Sequence, residues 1–387
     1  MIITHPIKIV KKYLKNYYIN NIIGNDLDNP TIKKCTVIIY MSGGINNHYQ
    51  FIQWINPFKE LHKKHPILIV TRSAKLFLKL KQEELFPIVL LRTLNDLTTF
   101  YNQYKFPIIL YVNHANQNFQ SLSYTKGFHI HLNHGESEKE SMYSNQSKAY
   151  DSIFCVGDRA VERYEEALLN FDPQKYIKIG RPQLDFIEPF HINKTPEQKV
   201  ILYAPTWEGH HQTMDYSSIE KYGFLLIKEL LNNPNYIVLY KPHGSTGLRR
   251  NDIKTAHKKI ISLVQSHNNG KLVSDYDINS IFTTVDFAFF DNSSVMIDYL
   301  HTDKSAFFFD MLEDIGLRYL LKCFNAIKSD DIESVINRMK EHIQDDPNKQ
   351  ARKDIKTFYL GKYTHMESTN KFISNISKFI ENREEAL

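Results

Sequence analysis

The sequence predicts an α/β protein made of two consecutive doubly wound domains facing a central cleft. Three observations carry that expectation. From Cys35 onward, short apolar runs rich in β-branched and aromatic residues alternate with stretches of helical apolar spacing. The alternation pauses at Gly180–Arg181–Pro182 and the polar stretch Asn193–Gln198, then restarts. The chain has 387 residues, too many for one core of ordinary size. The expected boundaries are residues 1–190, residues 191–367 and a closing helix at 368–387.

Strands alternating with helices favour parallel sheets joined by right-handed crossovers. The first 25 residues hold Lys8, Lys11, Lys12 and Lys15 and no acid, with Ile7, Ile9, Val10, Tyr13, Leu14, Tyr17 and Tyr18 among them or close by. They read either as an amphipathic helix resting on anionic lipid or as a basic helix packed on the first domain. Strands are then expected at 36–41, 67–71, 88–91, 108–112, 128–132 and 153–156, with helices at 51–64 and 94–104 among the connections. Pro66, Pro87 and Pro107 each precede a strand, where a missing N–H does little harm. In the second half, strands are expected at 200–204, 236–240, 271–273, 287–290 and 306–309. Helices are expected at 218–231, 254–266, 294–300, 331–343 and 368–385.

Composition narrows the class. Hydrophobic residues make up 42% and charged residues 24%, as in a folded globular chain. No run of about 18 apolar residues predicts a spanning helix, and the N-terminus lacks the apolar core of a signal peptide. Cys35, Cys155 and Cys323 lie far apart in apolar contexts, and read as buried free thiols in a cytoplasmic protein. The net charge of +5 comes without a Lys/Arg stripe, which argues against nucleic acid and suits anionic substrates or a membrane surface.

The chemistry concentrates where strands end. Tyr240–Lys241–Pro242–His243–Gly244 and Phe290–Asp291–Asn292–Ser293–Ser294 are aromatic runs that stop in small and polar residues. Lys241, His243 and the two serine hydroxyls are groups that hold a phosphate. The bland readings are a strand-end Lys with a capping His, and serines that serve as N-caps. Asp298, one turn beyond Ser294, is either a ribose contact or a first-turn acid complementing the helix dipole. Thr206 and Trp207 end another strand, where an aromatic covers a base or sugar or merely lids the core. His210 and His211 read as solvated.

In the first domain, His129 and His131 face one side of a strand, as a metal pair without a third ligand or as packing residues. His134 falls at the strand's C-terminal lip, placed either as a general base or structurally. Gly135, Glu136, Ser137 and Lys139 follow in a dense polar loop, read as an acceptor-side loop or a solvated connection. Gly43–Gly44 is a weak candidate phosphate loop and more often a tight turn.

Taken as an ordered set, Tyr203–Glu208, Tyr240–His243 and Asp291–Tyr299 resemble the CDP-glycerol glycerophosphotransferases, which include teichoic-acid primases and polymerases and related capsule polymerases. The likeness extends to His134–Gly135, Ser144–Gln146, Tyr150–Asp151 and Gly180–Pro182, covering about residues 128–310. Where many members carry Thr-Pro and a Lys after His-Gly, this chain has Glu136-Ser137-Glu138-Lys139.

The resemblance implies a GT-B fold of two Rossmann-like domains, with the donor held by the second. It implies a cytoplasmic enzyme attached to the inner membrane face, with no tightly bound metal or other required cofactor. By motif, His134 is expected as the catalytic base and His243 as a pyrophosphate ligand with a catalytic part. Lys241, Asp291, Ser293, Ser294, Asp298, Thr206 and Trp207 are expected on the donor side. The implied reaction moves a polyol phosphate, glycerol or ribitol, from a CDP-activated donor to a hydroxyl of a lipid-linked or oligomeric acceptor. The alternatives are a nucleotide-sugar glycosyltransferase on the same scaffold and a non-catalytic nucleotide-binding subunit.

Overall fold

Among the residues described by the computed structural model, thirteen short strands form two wholly parallel sheets. It describes residues 10, 13, 14, 17, 18, 27, 29–139, 142–209, 214–312 and 315–384. Ile7, Lys8, Ile9, Lys11, Lys12, Lys15, His210 and His211 lie outside that description.

The first sheet comprises β1 (Val37–Met41), β2 (Ile67–Thr71), β3 (Ile88–Leu90), β4 (Ile108–Tyr111), β5 (Phe128–His131), β6 (Ser152–Cys155) and β7 (Tyr176–Lys178). Their order is β3-β2-β1-β4-β5-β6-β7. The second comprises β8 (Lys199–Ala204), β9 (Tyr236–Tyr240), β10 (Gly270–Leu272), β11 (Phe287–Asp291), β12 (Ala306–Phe309) and β13 (Asn325–Ile327). Its order, β10-β9-β8-β11-β12-β13, repeats the topology of the first six strands. In each sheet the first strand lies beside the fourth, so the chain winds outward in both directions from one switch point. Ligands bind in the crevice beyond the strand C-termini at such a point.

The sequences explain why both faces are covered. Val37, Ile39 and Met41 enter one apolar cluster while Ile38 and Tyr40 enter another on the opposite face. Strands apolar on both faces need helices on both faces, which βαβ crossovers supply. The second sheet repeats this, with Val200, Leu202 and Ala204 on one side and Ile201 and Tyr203 on the other.

Some details depart from the sequence expectation. The 51–64 helix is two helices, His48–Ile52 and Ile55–Lys64. Pro57 explains the break, because its ring clashes with the carbonyl four residues earlier, that of Gln53. Edge strands β7 and β13, three residues each and partly exposed, carry too little apolar pattern to stand out.

The last helix, Glu367–Glu384, returns to the first domain and buries Phe372, Ile376 and Ile380 in its core. Phe372 packs on Trp54 at 5.3 Å between ring centroids. The two passages between domains are tied together at Asp185. Its carboxylate accepts from the Met366 amide (3.0 Å), the Thr369 amide (2.9 Å) and the Thr369 hydroxyl (2.7 Å). Cys35, Cys155 and Cys323 are buried free thiols.

Candidate active site

His134 owes its position to a turn. Beyond β5, Asn133 adopts a left-handed φ of 58°, which Asn tolerates better than most residues. Its Oδ1 accepts from the His134 amide at 2.8 Å, and its carbonyl accepts from the Trp54 indole at 2.5 Å. The chain is thereby turned out of the sheet and His134 is presented toward the second domain. Gly135 follows, so close to Ser294 that only a residue without a side chain fits.

Arg181 joins the two domains. Its guanidinium grips Asp298 through two bonds of 2.9 Å and donates to the His134 carbonyl at 3.3 Å. Both side chains are almost completely buried. Asp298 was expected to face a ribose; instead both its oxygens are engaged by Arg181.

His243 sits on the loop after β9. The Ser245 amide donates to its Nδ1 at 3.1 Å, which places the remaining proton on Nε2. Trp207 stacks on the imidazole, with 6.0 Å between centroids and 17° between planes. The loop beyond is held by Glu208, whose carboxylate accepts from the amides of Gly247 (2.9 Å), Arg249 (2.8 Å) and Arg250 (3.3 Å). Burial pushes the Glu208 carboxyl up, but these amides outweigh it and hold it below its usual range.

The two histidines meet at Tyr49. Its ring lies edge-on to His134 and to His243, 5.7 Å from each. Burial drives His134 down to about 3, helped by the Arg181 charge, and His243 down to about 4, helped by Lys139 and Lys241. Both imidazoles are thus neutral near pH 7, as an acceptor of a proton must be.

The other expected residues fall into distinct places. Ser293 and Ser294 start the helix after β11 at the cleft; the Ser293 hydroxyl is buried without a partner among the described residues. Lys139 reaches across to the Thr206 hydroxyl at 3.5 Å and lies over the Tyr216 ring at 4.7 Å, so its ammonium bridges its own loop and the second domain. Lys241 donates to the Ser274 carbonyl at 2.6 Å. Asp291 turns inward, accepting from the amides of Thr206 (2.8 Å) and Ser218 (3.2 Å), and burial raises it to about 7.

Glu136 and Ser137 are buried beneath their loop instead of lining the cleft. Glu136 pairs with Arg163, and neighbouring Glu138 pairs with Arg159 at 2.7 Å. Both arginines stand one turn apart on helix Asp158–Ala167. The departure from the family's usual loop is thus an internal ion-pair anchor. His129 and His131 are packing residues. His129 bonds to the Tyr111 hydroxyl (2.7 Å) and Tyr124 carbonyl (2.7 Å), while His131 packs at a tilt against His114 and stacks on Tyr150. Sequence reading missed Tyr49, Glu208 and Arg181 as members of the site. Arg181 and Glu208 lay inside the motifs Gly180–Pro182 and Tyr203–Glu208 that carry the resemblance, but no role was attached to either.

With this geometry in place, comparison with known proteins decides the family. Residues 51–315 match the model for CDP-glycerol:poly(glycerophosphate) glycerophosphotransferases. The chain belongs to that family. A teichoic acid poly(glycerol phosphate) polymerase of Staphylococcus epidermidis is 26% identical over 180 residues, 43% of this chain. The match spans only 23% of that relative's length. Among solved structures, the wall teichoic acid polymerase TagF, as an H444N variant with CDPG, aligns at a TM-score of 0.59. It is 15% identical, with 97% of this chain and 98% of that chain covered. A UDP-GlcNAc 2-epimerase from Neisseria meningitidis bound to UDP-GlcNAc aligns at 0.58 with 13% identity, over 88% of this chain and 99% of that one. At these identities the likeness concerns the fold: two Rossmann-like domains about a cleft, the GT-B arrangement.

Proposed function

We propose that the protein transfers a polyol phosphate from a CDP-activated donor, CDP-glycerol or CDP-ribitol, to a hydroxyl of a teichoic-acid or capsule-type acceptor. The observation that carries this reading is the meeting of His134 and His243, one from each domain, on opposite sides of the cleft and against one shared ring.

The neutral His134 imidazole takes the proton from the acceptor hydroxyl as its oxygen bonds to the β-phosphorus. The bond from that phosphorus to the bridging oxygen breaks, and CMP leaves with the electron pair. Such a transfer depends mainly on alignment and charge stabilisation. His243 donates its Nε2 proton to the pyrophosphate, beside the Ser293 hydroxyl and the Lys139 ammonium. Lys241 adds positive charge at the rim. These groups neutralise the developing charge without a tightly held metal or cofactor, so we propose that chelation leaves turnover unchanged.

The acceptor is lipid-linked or oligomeric, and the protein works peripherally at an anionic, cytoplasmic membrane face. Val10, Tyr13, Leu14, Tyr17 and Tyr18 support this placement: they are helical, spaced as one stripe, and all exposed. Vesicle co-sedimentation with and without residues 1–18 tests it, and equal binding to anionic vesicles contradicts it.

The central test is a donor screen with CDP-glycerol, CDP-ribitol and UDP-sugars, followed by mass analysis of the extended acceptor. His134→Ala should bind CDP-glycerol nearly as wild type and lose transfer by about 100-fold or more, the usual size of a lost general base. Retained turnover in that variant, or release of UDP alone in the screen, refutes the assignment.

A further inference from the structure

Tyr49 lies two residues ahead of the family match, on a segment for which the sequence offered no functional reading. Its ring nevertheless contacts both histidines, edge-on at 89° to His134 and 82° to His243. The residue is 39% exposed and, among the described residues, its hydroxyl makes one bond, accepting from its neighbour Gln50 at 3.3 Å. It therefore stands at the mouth of the cleft, in the space where base and phosphate grip must share a substrate.

The backbone beneath it is fixed. Gln50 Oε1 accepts from Asn113 (2.9 Å), and the Ser42 hydroxyl bonds Asn118 (2.6 Å), which in turn donates to the Tyr150 hydroxyl (2.8 Å). On the other flank His48 pairs with Glu83 at 2.6 Å. Gln50, Asn113, Asn118 and Ser42 are buried. With its helix held on both sides, Tyr49 moves by turning its side chain alone, a change of rotamer that needs no rearrangement of the fold.

We propose that Tyr49 is a specificity-determining residue that favours the acceptor hydroxyl over water. This rests on the donor reading above. While the ring contacts both imidazoles it covers the path by which a nucleophile reaches His134 and the β-phosphorus together. An acceptor chain entering the cleft displaces the ring and takes its van der Waals contacts. A lone water replaces none of them, so the ring stays. Water attack is the competing reaction: its oxygen bonds to the β-phosphorus, its proton passes to His134, and CMP departs from free glycerol phosphate. Excluding it preserves the activated donor.

The test compares CMP release from CDP-glycerol with and without a glycerol-phosphate oligomer as acceptor, in the full-length wild type, Tyr49→Ala and Tyr49→Phe. Tyr49→Ala should raise the ratio of acceptor-independent to acceptor-dependent release by about 10-fold or more, whereas Tyr49→Phe, which keeps the ring, should hold the wild-type ratio. Tyr49→Leu gives the same reading should the alanine variant not fold. An unchanged ratio in Tyr49→Ala or Leu, or equal loss of both activities with donor binding intact, overturns the proposal. Wild type that releases no CMP even with acceptor overturns the donor assignment instead, so the two failures are separable.

Discussion

Gly135 and Ser294 touch across the cleft: a Cβ on the glycine would lie 2.9 Å from the serine Cβ and 3.0 Å from its hydroxyl. The loop carrying His134 and the helix that begins at Ser294 are thus in direct contact. A methyl at position 135 must displace the His134 loop or the start of the helix at Ser294. Gly135→Ala should lower kcat/KM by about 10- to 100-fold, the scale of a reacting group misplaced by about 1 Å. Steady-state kinetics beside a thermal melt that moves little would show it; wild-type kinetics would contradict the contact's importance.

The Arg181–Asp298 pair should be costly to break from one side. Arg181→Ala leaves a buried carboxylate unpaired, which typically destabilises by about 3–5 kcal/mol. Replacing both partners, as in Arg181→Met with Asp298→Leu, should recover much of that in a denaturant titration, while turnover stays low because the His134 carbonyl has lost its donor.

Acid should loosen the fold before it reaches the chemistry. His114 and His243 are held at about 4 and His134 at about 3 by burial, against 6.5 for an exposed histidine. Below pH 6.5 the unfolded chain takes up protons that the folded one refuses. Stability is therefore lost as pH falls from about 6.5 toward 4, by up to about 1.4 kcal/mol per pH unit for each group. Asp291 acts oppositely, because its folded carboxyl at about 7 exceeds the ordinary 3.8 and its contribution declines as pH rises between those values. Three histidines outweigh one carboxyl. Melting temperature should fall between pH 7 and pH 5, and a flat profile would contradict the neutral buried histidines.

Glu208→Ala should loosen the loop behind His243, since three amides lose their shared acceptor. An unsatisfied buried donor costs about 1–3 kcal/mol. The expected outcome is a donor KM raised about 10-fold with a smaller change in kcat, measured by titrating CDP-glycerol at saturating acceptor.

The fold was largely legible because its strands are apolar on both faces and end abruptly, as at Tyr240 and Phe290. The positions of His134, His243 and Ser293 at the cleft were legible for the same reason, each lying just past a strand end. Asp298 and Glu136 were misplaced because a carboxylate's partner is set by tertiary contact. Nothing local says that Arg181 lies over Asp298 or Arg163 beneath Glu136. Tyr49 was invisible, since its neighbours His134 and His243 stand 85 and 194 positions along the chain.

The tie at Asp185 has a mechanical consequence. The chain passes between domains twice, and both passages are fastened to one carboxylate. Two tethers pinned at one point resist sliding of one domain past the other but permit swinging about the pin. Swinging about Asp185 would also part Arg181 from Asp298 and Arg318 from Glu166, so opening of the cleft at Tyr49 and His243 is set against ion pairs that re-form on closing. The histidines can part to admit substrates and return to the same registration each time.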